Sequence, residues 1–246
     1  MKDYASYSFW LETSGDNLTP RPRLDGSIDV DVAVMGAGYT GLWTAYYLLQ
    51  RDPSLRVAVV EREIAGFGAS GRNGGWCTPG FPVSTGLLRE RYGAETARNV
   101  SRIMLETVDE IERVIGDEGI DAQWARGGTL RLARGEHQRA SIEGAYASLD
   151  ALGLADRYEL LDAAEVAERV RVTDVVAGLY SPSGASIHPA RLARGLTRAV
   201  ERHGGTIYEQ TPVTDYDTGR TPRLITPYGD VRARRLVLAG EAYSQQ

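Results

Sequence analysis

Hydrophobic and polar positions near the beginning of the chain follow patterns that predict a strand, a helix and a second strand. Val30–Met35 is mostly apolar, which is typical of a strand covered on both faces in a parallel sheet. Thr40–Gln50 spaces its apolar residues three and four positions apart, which indicates an amphipathic helix that ends before Pro53. Arg56–Glu61 is again strand-like. Together these segments predict one complete β-α-β unit.

The same periodicities predict a mixture of helices and strands along the remaining chain. Helices are expected at residues 84–116, 136–151, 162–170 and 189–202. Strands are expected at residues 129–133, 176–180, 206–209, 213–217, 223–228, 230–234 and 235–239. Asp162 and His188 stand where they can cap the helices that follow them, and a capping or packing role for His188 is favoured over a role as a catalytic base. Residues 1–28 are predicted to form an irregular arm that packs its aromatic side chains on the main body.

The turn between the first strand and the first helix carries the glycine spacing of a dinucleotide-binding fingerprint. Gly36 permits a tight turn, Gly38 lets a pyrophosphate approach the backbone, and Gly41 lets the helix pack closely on the strand. The N-terminus of the helix offers free N–H groups and a positive dipole end to a phosphate. Glu61 ends the second strand, 20 residues after Gly41, where a carboxylate accepts hydrogen bonds from a ribose and disfavours the 2′-phosphate of NADP.

A second glycine-rich segment follows the second strand directly and favours FAD over NAD. The segment Gly66–Gly75 combines glycines with three donors, Ser70, Arg72 and Asn73. An extended FAD needs a backbone cradle beyond its pyrophosphate, for which the N–H groups of glycine-rich backbone are suited. An NAD domain has no need for such a loop at this point. The alternatives are a flexible surface loop and, for the function, an NAD-dependent dehydrogenase.

The stretch from Asp29 to Gly75 resembles the D-amino-acid oxidase superfamily of FAD-dependent oxidoreductases, and most closely its gamma-glutamylputrescine oxidoreductase-like branch. The resemblance rests on the fingerprint, on Glu61-Arg62 and on the run from Gly68 to Gly75. Phe9-Trp10 and three later segments, residues 187–192, 211–213 and 236–243, also resemble this family. Gly240 stands where threonine is usual in the family.

The resemblance implies an α/β fold with a Rossmann-like FAD-binding domain (GR2-type flavoprotein) and part of an α+β substrate domain. It implies an N-terminal arm at 1–28, a discontinuous and incomplete FAD-binding domain at 29–82 and 186–246, and a partial substrate domain at 83–185. No catalytic residue and no metal ligand is assigned. The expected FAD contacts are Gly36, Ala37, Gly38, Tyr39, Thr40, Gly41, Glu61, Arg62, Gly68, Ala69, Ser70, Arg72, Asn73, Gly74, Gly75, Val213, Ala239 and Gly240.

The resemblance also implies an activity, in which an amine or amino acid loses a hydride from its α-carbon to the flavin. Family members are much longer, so the chain is expected to lack the C-terminal part of the enzyme. A complementing C-terminal chain or a homo-oligomer is therefore expected as partner, besides the small amine or amino-acid substrate. The alternative is a truncated, catalytically inactive module that binds FAD or another nucleotide.

Composition and charge narrow the remaining possibilities. The net charge of −5 argues against nucleic-acid binding. No apolar run is long enough to span a membrane and the N-terminus lacks the features of a secretory signal, so a cytoplasmic location is expected. The single cysteine, Cys77, excludes an internal disulfide and is expected to be a small buried thiol, with covalent flavin attachment as the alternative. Trp76 and Phe81 are expected either to wall a flavin or substrate cavity or to pack in a core.

Overall fold

The computed structural model describes residues 2–245, and Met1 and Gln246, the outer ends of the predicted ranges 1–28 and 186–246, lie outside the described residues. The helices are α1 Phe9–Glu12, α2 Tyr39–Arg51, α3 Thr85–Asp117, α4 Glu136–Asp150, α5 Ala163–Arg169 and α6 Pro189–Arg202. The strands are β1 Ile28–Met35, β2 Val57–Val60, β3 Trp76–Cys77, β4 Thr129–Arg134, β5 Glu159–Asp162, β6 Val175–Ser181, β7 Ala185–Ser186, β8 Thr206–Tyr208, β9 Asp215–Asp217, β10 Arg223–Thr226 and β11 Gly229–Leu238. The chain separates into two compact units, of which the first contains residues 2–75, 115–123 and 188–245 and the second contains residues 76–114 and 124–187.

The first unit is built on a sheet with the strand order β8-β2-β1-β11-β10-β9. Its first four strands are parallel, and β10 and β9 continue it in antiparallel pairs. All four residues of β2 are buried, and Val32, Ala33 and Val34 of β1 are buried beside them. Continuous apolar runs of this kind are typical of parallel strands covered on both faces. The predicted β-α-β unit is confirmed as β1-α2-β2.

Helix α6 packs against α2 in the first unit, and its ends follow the sequence signals. It begins at Pro189, whose fixed φ suits the first helical position. His188 Nδ1 accepts the Arg191 N–H at 3.2 Å, so the predicted capping role of His188 is confirmed. Gly204 follows the helix with φ +93°, which lets the chain turn away.

The N-terminal arm contains the short helix α1, so the prediction of a wholly irregular arm is wrong at this point. Ser8 caps α1 by accepting the Leu11 N–H at 3.2 Å. Tyr4, Leu11 and Leu24 are buried, as expected of an arm that packs on the body. Phe9, however, is 65% exposed, and packing of this ring on the body is not observed.

The second unit contains a three-stranded antiparallel sheet, β4-β6-β5, and the separate pair β3-β7. Its core joins one face of the sheet to α3 and α4 through Leu88, Ala97, Ala133, Ile142, Leu149, Ala177 and Leu179. Helix α3 is interrupted at Gly93, whose φ of 85° is not helical. Asp162 is the N-cap of α5, as the sequence predicted, and it forms a reciprocal capping box with Glu165.

Some strands differ from the sequence prediction. The strands expected at 230–234 and 235–239 are one continuous strand, β11, because β11 pairs with β1 from Val231 to Leu238. Strands β3, β5 and β7 were not predicted, since each has two to four residues and depends on pairing with distant segments. Within residues 2–245, no helix is both long and apolar enough to cross a membrane.

Candidate functional site

The turn that joins β1 to α2 contains three glycines with distinct structural roles. Gly36 has φ +99°, and a Cβ there would lie 2.7 Å from the carbonyl oxygen of Ala239. A Cβ on Gly41 would lie 2.0 Å from the carbonyl oxygen of Gly36, so a side chain would prevent α2 from packing this closely on the strand. Gly38 is the N-cap of α2, and a Cβ there would meet only the Ser70 side chain, at 3.0 Å from Oγ. Gly38 therefore leaves the backbone at the helix N-terminus open to a ligand.

The segment after β2 repeats the close approach seen in the first turn. Gly66 has φ +79°, and a Cβ on Gly71 would lie 2.0 Å from the carbonyl oxygen of Gly66. In both turns a glycine therefore contacts the carbonyl of the glycine five residues earlier. A Cβ on Gly66 would also lie 2.8 Å from Ala193 Cβ on α6, so this turn is held against the helix. The shared five-residue spacing, visible in the sequence, is the signal that predicts this repeat.

Hydrogen bonds join the two glycine turns to each other. The Tyr39 N–H, the first of α2, donates to Ser70 Oγ at 2.8 Å. The Gly66 N–H donates to the carbonyl oxygen of Ala37 at 3.0 Å. The relative placement of the turns is therefore fixed by contacts within the first unit.

Glu61 follows β2 and is hydrogen bonded to the backbone of the first turn. One carboxylate oxygen accepts the Ala37 N–H at 2.8 Å, and the other accepts the Glu63 N–H at 3.0 Å. Burial raises the pKa of the Glu61 carboxyl, against these two N–H donors and together with the negative charges of Glu209 and Glu63. Each oxygen retains a lone pair, so Glu61 can also accept a hydrogen bond from a ligand hydroxyl.

A groove in the first unit is bounded by the two glycine turns and the end of β11, and most predicted FAD contacts line it. The predicted residues that line it are Gly36, Gly38, Tyr39, Thr40, Glu61, Arg62, Gly68, Ala69, Ser70, Val213, Ala239 and Gly240. The predicted residues outside the lining are Ala37, Gly41, Arg72, Asn73, Gly74 and Gly75. The lining residues that sequence reasoning missed are Met35, Val60, Glu63, Phe67, Glu241 and Tyr243.

The side chains of Arg72 and Asn73 are engaged within the second turn. The Arg72 guanidinium lies over the Phe67 ring, 4.6 Å from its centroid. Asn73 Nδ2 donates to the Ser70 carbonyl at 3.0 Å, and Asn73 Oδ1 accepts the Gly75 N–H at 2.9 Å. These contacts stabilise the shape of the turn, and the donation to a cofactor expected from the sequence stays a prediction.

Tyr243, one of the missed residues, lies against the second turn. Its ring Cε2 is 3.7 Å from the position a Cβ on Gly68 would take. The Arg62 guanidinium lies 5.4 Å from the Tyr243 ring centroid, and Arg72 Nη2 donates to its hydroxyl at 3.5 Å. The groove is thereby given an aromatic wall. The signal that could have found it is its position in the polar segment directly after the apolar end of β11.

A buried ion network supports the start of the second turn. Glu209 is 0% exposed, and its carboxylate accepts the Ala65 N–H at 2.8 Å. The same carboxylate pairs with Arg194 at 3.3 Å and with Arg21 at 3.1 Å. Arg194 also pairs with Asp16 at 3.1 Å, so the network links the N-terminal arm and α6 to the chain just before Gly66–Gly75. Sequence reasoning missed it because its members are far apart along the chain.

Three residues singled out in the sequence lie in the second unit. Cys77 is buried, as predicted, and burial raises the pKa of its thiol to about 11, opposed by the charge of Arg126. Trp76 is 83% exposed and Phe81 is 47% exposed, and both line a cleft of this unit. Of the two interpretations of these rings, packing in a core is wrong.

The chain is similar in sequence to known oxidoreductases. The chain is 34% identical over 237 residues to gamma-glutamylputrescine oxidoreductase of Escherichia coli K12, a match that covers 96% of this chain and 54% of the relative. It is 25% identical over 225 residues to sarcosine oxidase subunit beta of Rhizobium meliloti, which covers 88% of this chain and 50% of the relative. The chain therefore spans about half the length of these curated relatives.

Solved structures share the fold. Glycine oxidase of Geobacillus kaustophilus matches with a TM-score of 0.66 and 24% identity, over 86% of this chain and 55% of that chain. L-amino acid deaminase of Proteus myxofaciens matches with a TM-score of 0.72 and 17% identity, over 91% of this chain and 48% of that chain. The α/β fold with a Rossmann-like parallel sheet expected from the sequence is thereby confirmed. Residues 31–246 match the family described as FAD dependent oxidoreductase, and the chain belongs to this family of flavoproteins.

Proposed function

We propose that the groove of the first unit binds FAD and that the protein takes part in the FAD-dependent oxidation of an amine or amino acid. The observation that carries the binding proposal is the open backbone at Gly38, the N-cap of α2, in the same groove as the Glu61 carboxylate. A pyrophosphate needs the first feature and a ribose needs the second. The names of the relatives, gamma-glutamylputrescine oxidoreductase and sarcosine oxidase, support the substrate class.

Each part of the groove suits one part of FAD. The N–H groups at the start of α2, beyond the one already bonded to Ser70, would receive the pyrophosphate, and Gly38 would let it come close. Glu61 would accept a ribose hydroxyl through a remaining lone pair. Val213, Ala239 and Gly240 line the same groove, and we assign them as further contacts.

The second turn has a supporting part in this proposal. We keep Arg72, Asn73, Gly74 and Gly75 as proposed contacts, through the backbone that the Asn73 bonds hold in place. The bound flavin would accept a hydride from the α-carbon of the substrate. The protein's contribution is to bind the cofactor, orient it and exclude water, and we assign no catalytic residue.

We assign different roles to the two units. We propose that the first unit is the FAD-binding domain and that the second is part of a substrate domain. The boundaries differ from the ranges expected from the sequence, since residues 76–82 and 186–187 lie in the second unit and residues 115–123 lie in the first. We further propose that the activity requires the portion of the fold that the relatives have and this chain does not span. That portion would come from a complementing chain or from a longer form of this protein.

The binding proposal is tested by absorbance spectra of the purified chain after addition of FAD and desalting. We expect flavin bands to remain with the wild-type chain and Gly38→Ala to weaken FAD binding about tenfold or more, since a methyl group would stand where the pyrophosphate approaches. Gly144→Ala is the matched control, because a Cβ on this exposed helical glycine meets nothing within 4 Å. Equal FAD affinity in Gly38→Ala and wild type, with Gly144→Ala unchanged, would exclude the groove as the FAD site.

The activity proposal is tested on the FAD-loaded protein, alone and with a C-terminal fragment from a relative. We expect anaerobic addition of a suitable amine or amino acid to bleach the flavin bands. Flavin that is bound but never reduced by any amine or amino acid would favour the alternative of an inactive module. Tight binding of nicotinamide dinucleotide without flavin would overturn both proposals in favour of a dehydrogenase.

A further inference from the structure

The second unit contains a cleft of about 930 Å³ that the proposed FAD site does not use. Its walls include the exposed rings of Trp76 and Phe81 and the apolar side chains of Met104 and Leu149. A space of this size, with aromatic and aliphatic walls, is typical of a site for a small organic molecule.

Arg131 is the only charged residue in the lining of this cleft within the described chain. The polar remainder of the lining consists of hydroxyl side chains, among them Ser101, Tyr158 and Ser181. Hydroxyl groups can donate hydrogen bonds to an anion, and a single guanidinium supplies one full positive charge. The cleft therefore favours a ligand with one negative group.

The strand register places Arg131 on the face of the sheet that forms the cleft. Arg131 pairs with Leu179, and Ala133 pairs with Ala177 two residues along. Ala133, Ala177 and Leu179 belong to the core beneath α3 and α4, and Leu179 itself lines the cleft. Because side chains alternate between the faces of a sheet, Arg131 shares this face, whereas the Leu130 and Val166 side chains both lie close to Gly178 on the opposite one.

The Arg131 side chain has no hydrogen bond and no ion pair to any of the residues that the structure describes, whereas the side chain of its strand neighbour Arg134 donates to Thr173 at 3.2 Å. Arginine fits a carboxylate geometrically, with two parallel N–H donors. An arginine in a cleft without acidic residues has this capacity unused. The N-terminal turn of α3, Ser84–Gly86, lines the same cleft and adds the positive end of a helix dipole.

We propose that this cleft binds a small organic monocarboxylate with an apolar body, and that Arg131 holds the carboxylate while Trp76 and Met104 contact the apolar part. The proposal uses only residues of the second unit and is independent of the FAD site. A carboxylate is favoured over a phosphate because the lining offers a single cation for a single negative charge.

The test is calorimetric titration of the full chain with hexanoate and hexanamide, which differ in charge and share an apolar body. We expect hexanoate to bind about tenfold or more tightly than hexanamide, because charge-assisted hydrogen bonds are the stronger ones. Arg131→Gln should lower hexanoate affinity to that of hexanamide and leave hexanamide binding unchanged, which also shows that the variant is folded. Arg131→Lys should keep part of the preference.

Arg171→Gln is the matched control, because Arg171 is exposed, lies outside the cleft and also has no bonded partner among the described residues. It should keep the wild-type preference for hexanoate. The proposal would be overturned by any of three results: wild type binds the two probes equally, Arg131→Gln keeps its preference for hexanoate, or Arg171→Gln loses that preference as fully as Arg131→Gln does. Inorganic phosphate should not compete with hexanoate. If phosphate bound with the same affinity and this binding required Arg131, the cleft would be a phosphate site, and the carboxylate proposal would be overturned.

Discussion

The second glycine turn allows a sharp test of whether steric contact or flexibility explains its composition. Gly71 and Gly74 lie three residues apart in the same turn, and both can be replaced by alanine. A Cβ on Gly71 would lie 2.0 Å from the carbonyl oxygen of Gly66, whereas a Cβ on Gly74 would meet nothing within 4 Å. Neither residue has a positive φ, so backbone strain does not enter the comparison. The two substitutions therefore differ mainly in the steric term.

The magnitude of that difference follows from the contact distance. Because Cβ atoms essentially never approach closer than 3.0 Å, the Gly66 backbone must move by about 1 Å to accept Gly71→Ala. Overpacking of a closely packed region costs about 1–3 kcal/mol. Loss of backbone freedom in the unfolded chain returns about 0.4–1 kcal/mol for either alanine. We expect Gly71→Ala to destabilise the chain by about 1–2 kcal/mol and Gly74→Ala to be neutral or slightly stabilising.

The assay is thermal and urea unfolding of the flavin-free chain, since bound cofactor would add its own stabilisation. At about 2–4 °C per kcal/mol, a difference of about 1–3 kcal/mol between the two variants should separate their Tm values by about 2–12 °C. An unfolding midpoint of Gly71→Ala equal to that of Gly74→Ala would refute the steric explanation. Equal losses in both would show that the turn requires the flexibility of glycine instead.

Three further predictions concern the network, the thiol and a helix cap. Glu209→Gln should lower the free energy of unfolding, measured in urea, by about 3 kcal/mol or more, because Arg194 loses a buried charged partner. The control is Glu201→Gln, at the half-exposed end of the ion pair with Arg21, which should lower it by less than about 1 kcal/mol. Cys77 should resist Ellman's reagent at pH 8 until urea unfolds the chain, and rapid labelling of the folded protein would contradict its burial. Because burial raises the pKa of the Cys77 thiol from 9.0 to about 11, the free energy of unfolding should fall as pH rises through that interval. Asp162→Ala should cost about 1 kcal/mol by loss of the capping box, with Asp162→Asn nearly neutral, as urea unfolding would show.

Local patterns explain how much of the fold was predictable. The β1-α2-β2 unit, the cap at His188 and the N-cap at Asp162 follow from patterns in continuous stretches of the chain, and the sequence predicts all three. Strand β7 is two residues long and exists through pairing with Trp76-Cys77, more than a hundred positions earlier. Such pairings leave no periodic signal in a single sequence.

In the candidate site, too, residues in local motifs were predictable from the sequence and residues that depend on distant contacts were not. Gly36, Gly38 and Glu61 were found because the fingerprint spaces them within one β-α-β unit. The Glu209 network was missed because its carboxylate reaches Arg21, 188 positions away along the chain. Tyr243 was missed as a groove residue because its contact with Gly68 depends on how the chain continues beyond β11.

Glu61 shows why a site residue in this fold can have two roles at once. Spacing alone assigned it to a ribose, yet both of its oxygens already accept backbone N–H groups, from Ala37 and Glu63. A glutamine there would turn one acceptor into a donor that faces an N–H group, so the variant would disturb the first turn even without a ligand. Weaker FAD binding in Glu61→Gln would therefore combine a lost ribose contact with a displaced turn. The ribose contact is isolated by FAD and a 2′-deoxyribose analogue on the wild-type chain, where the turn is intact and only the ligand hydroxyl differs.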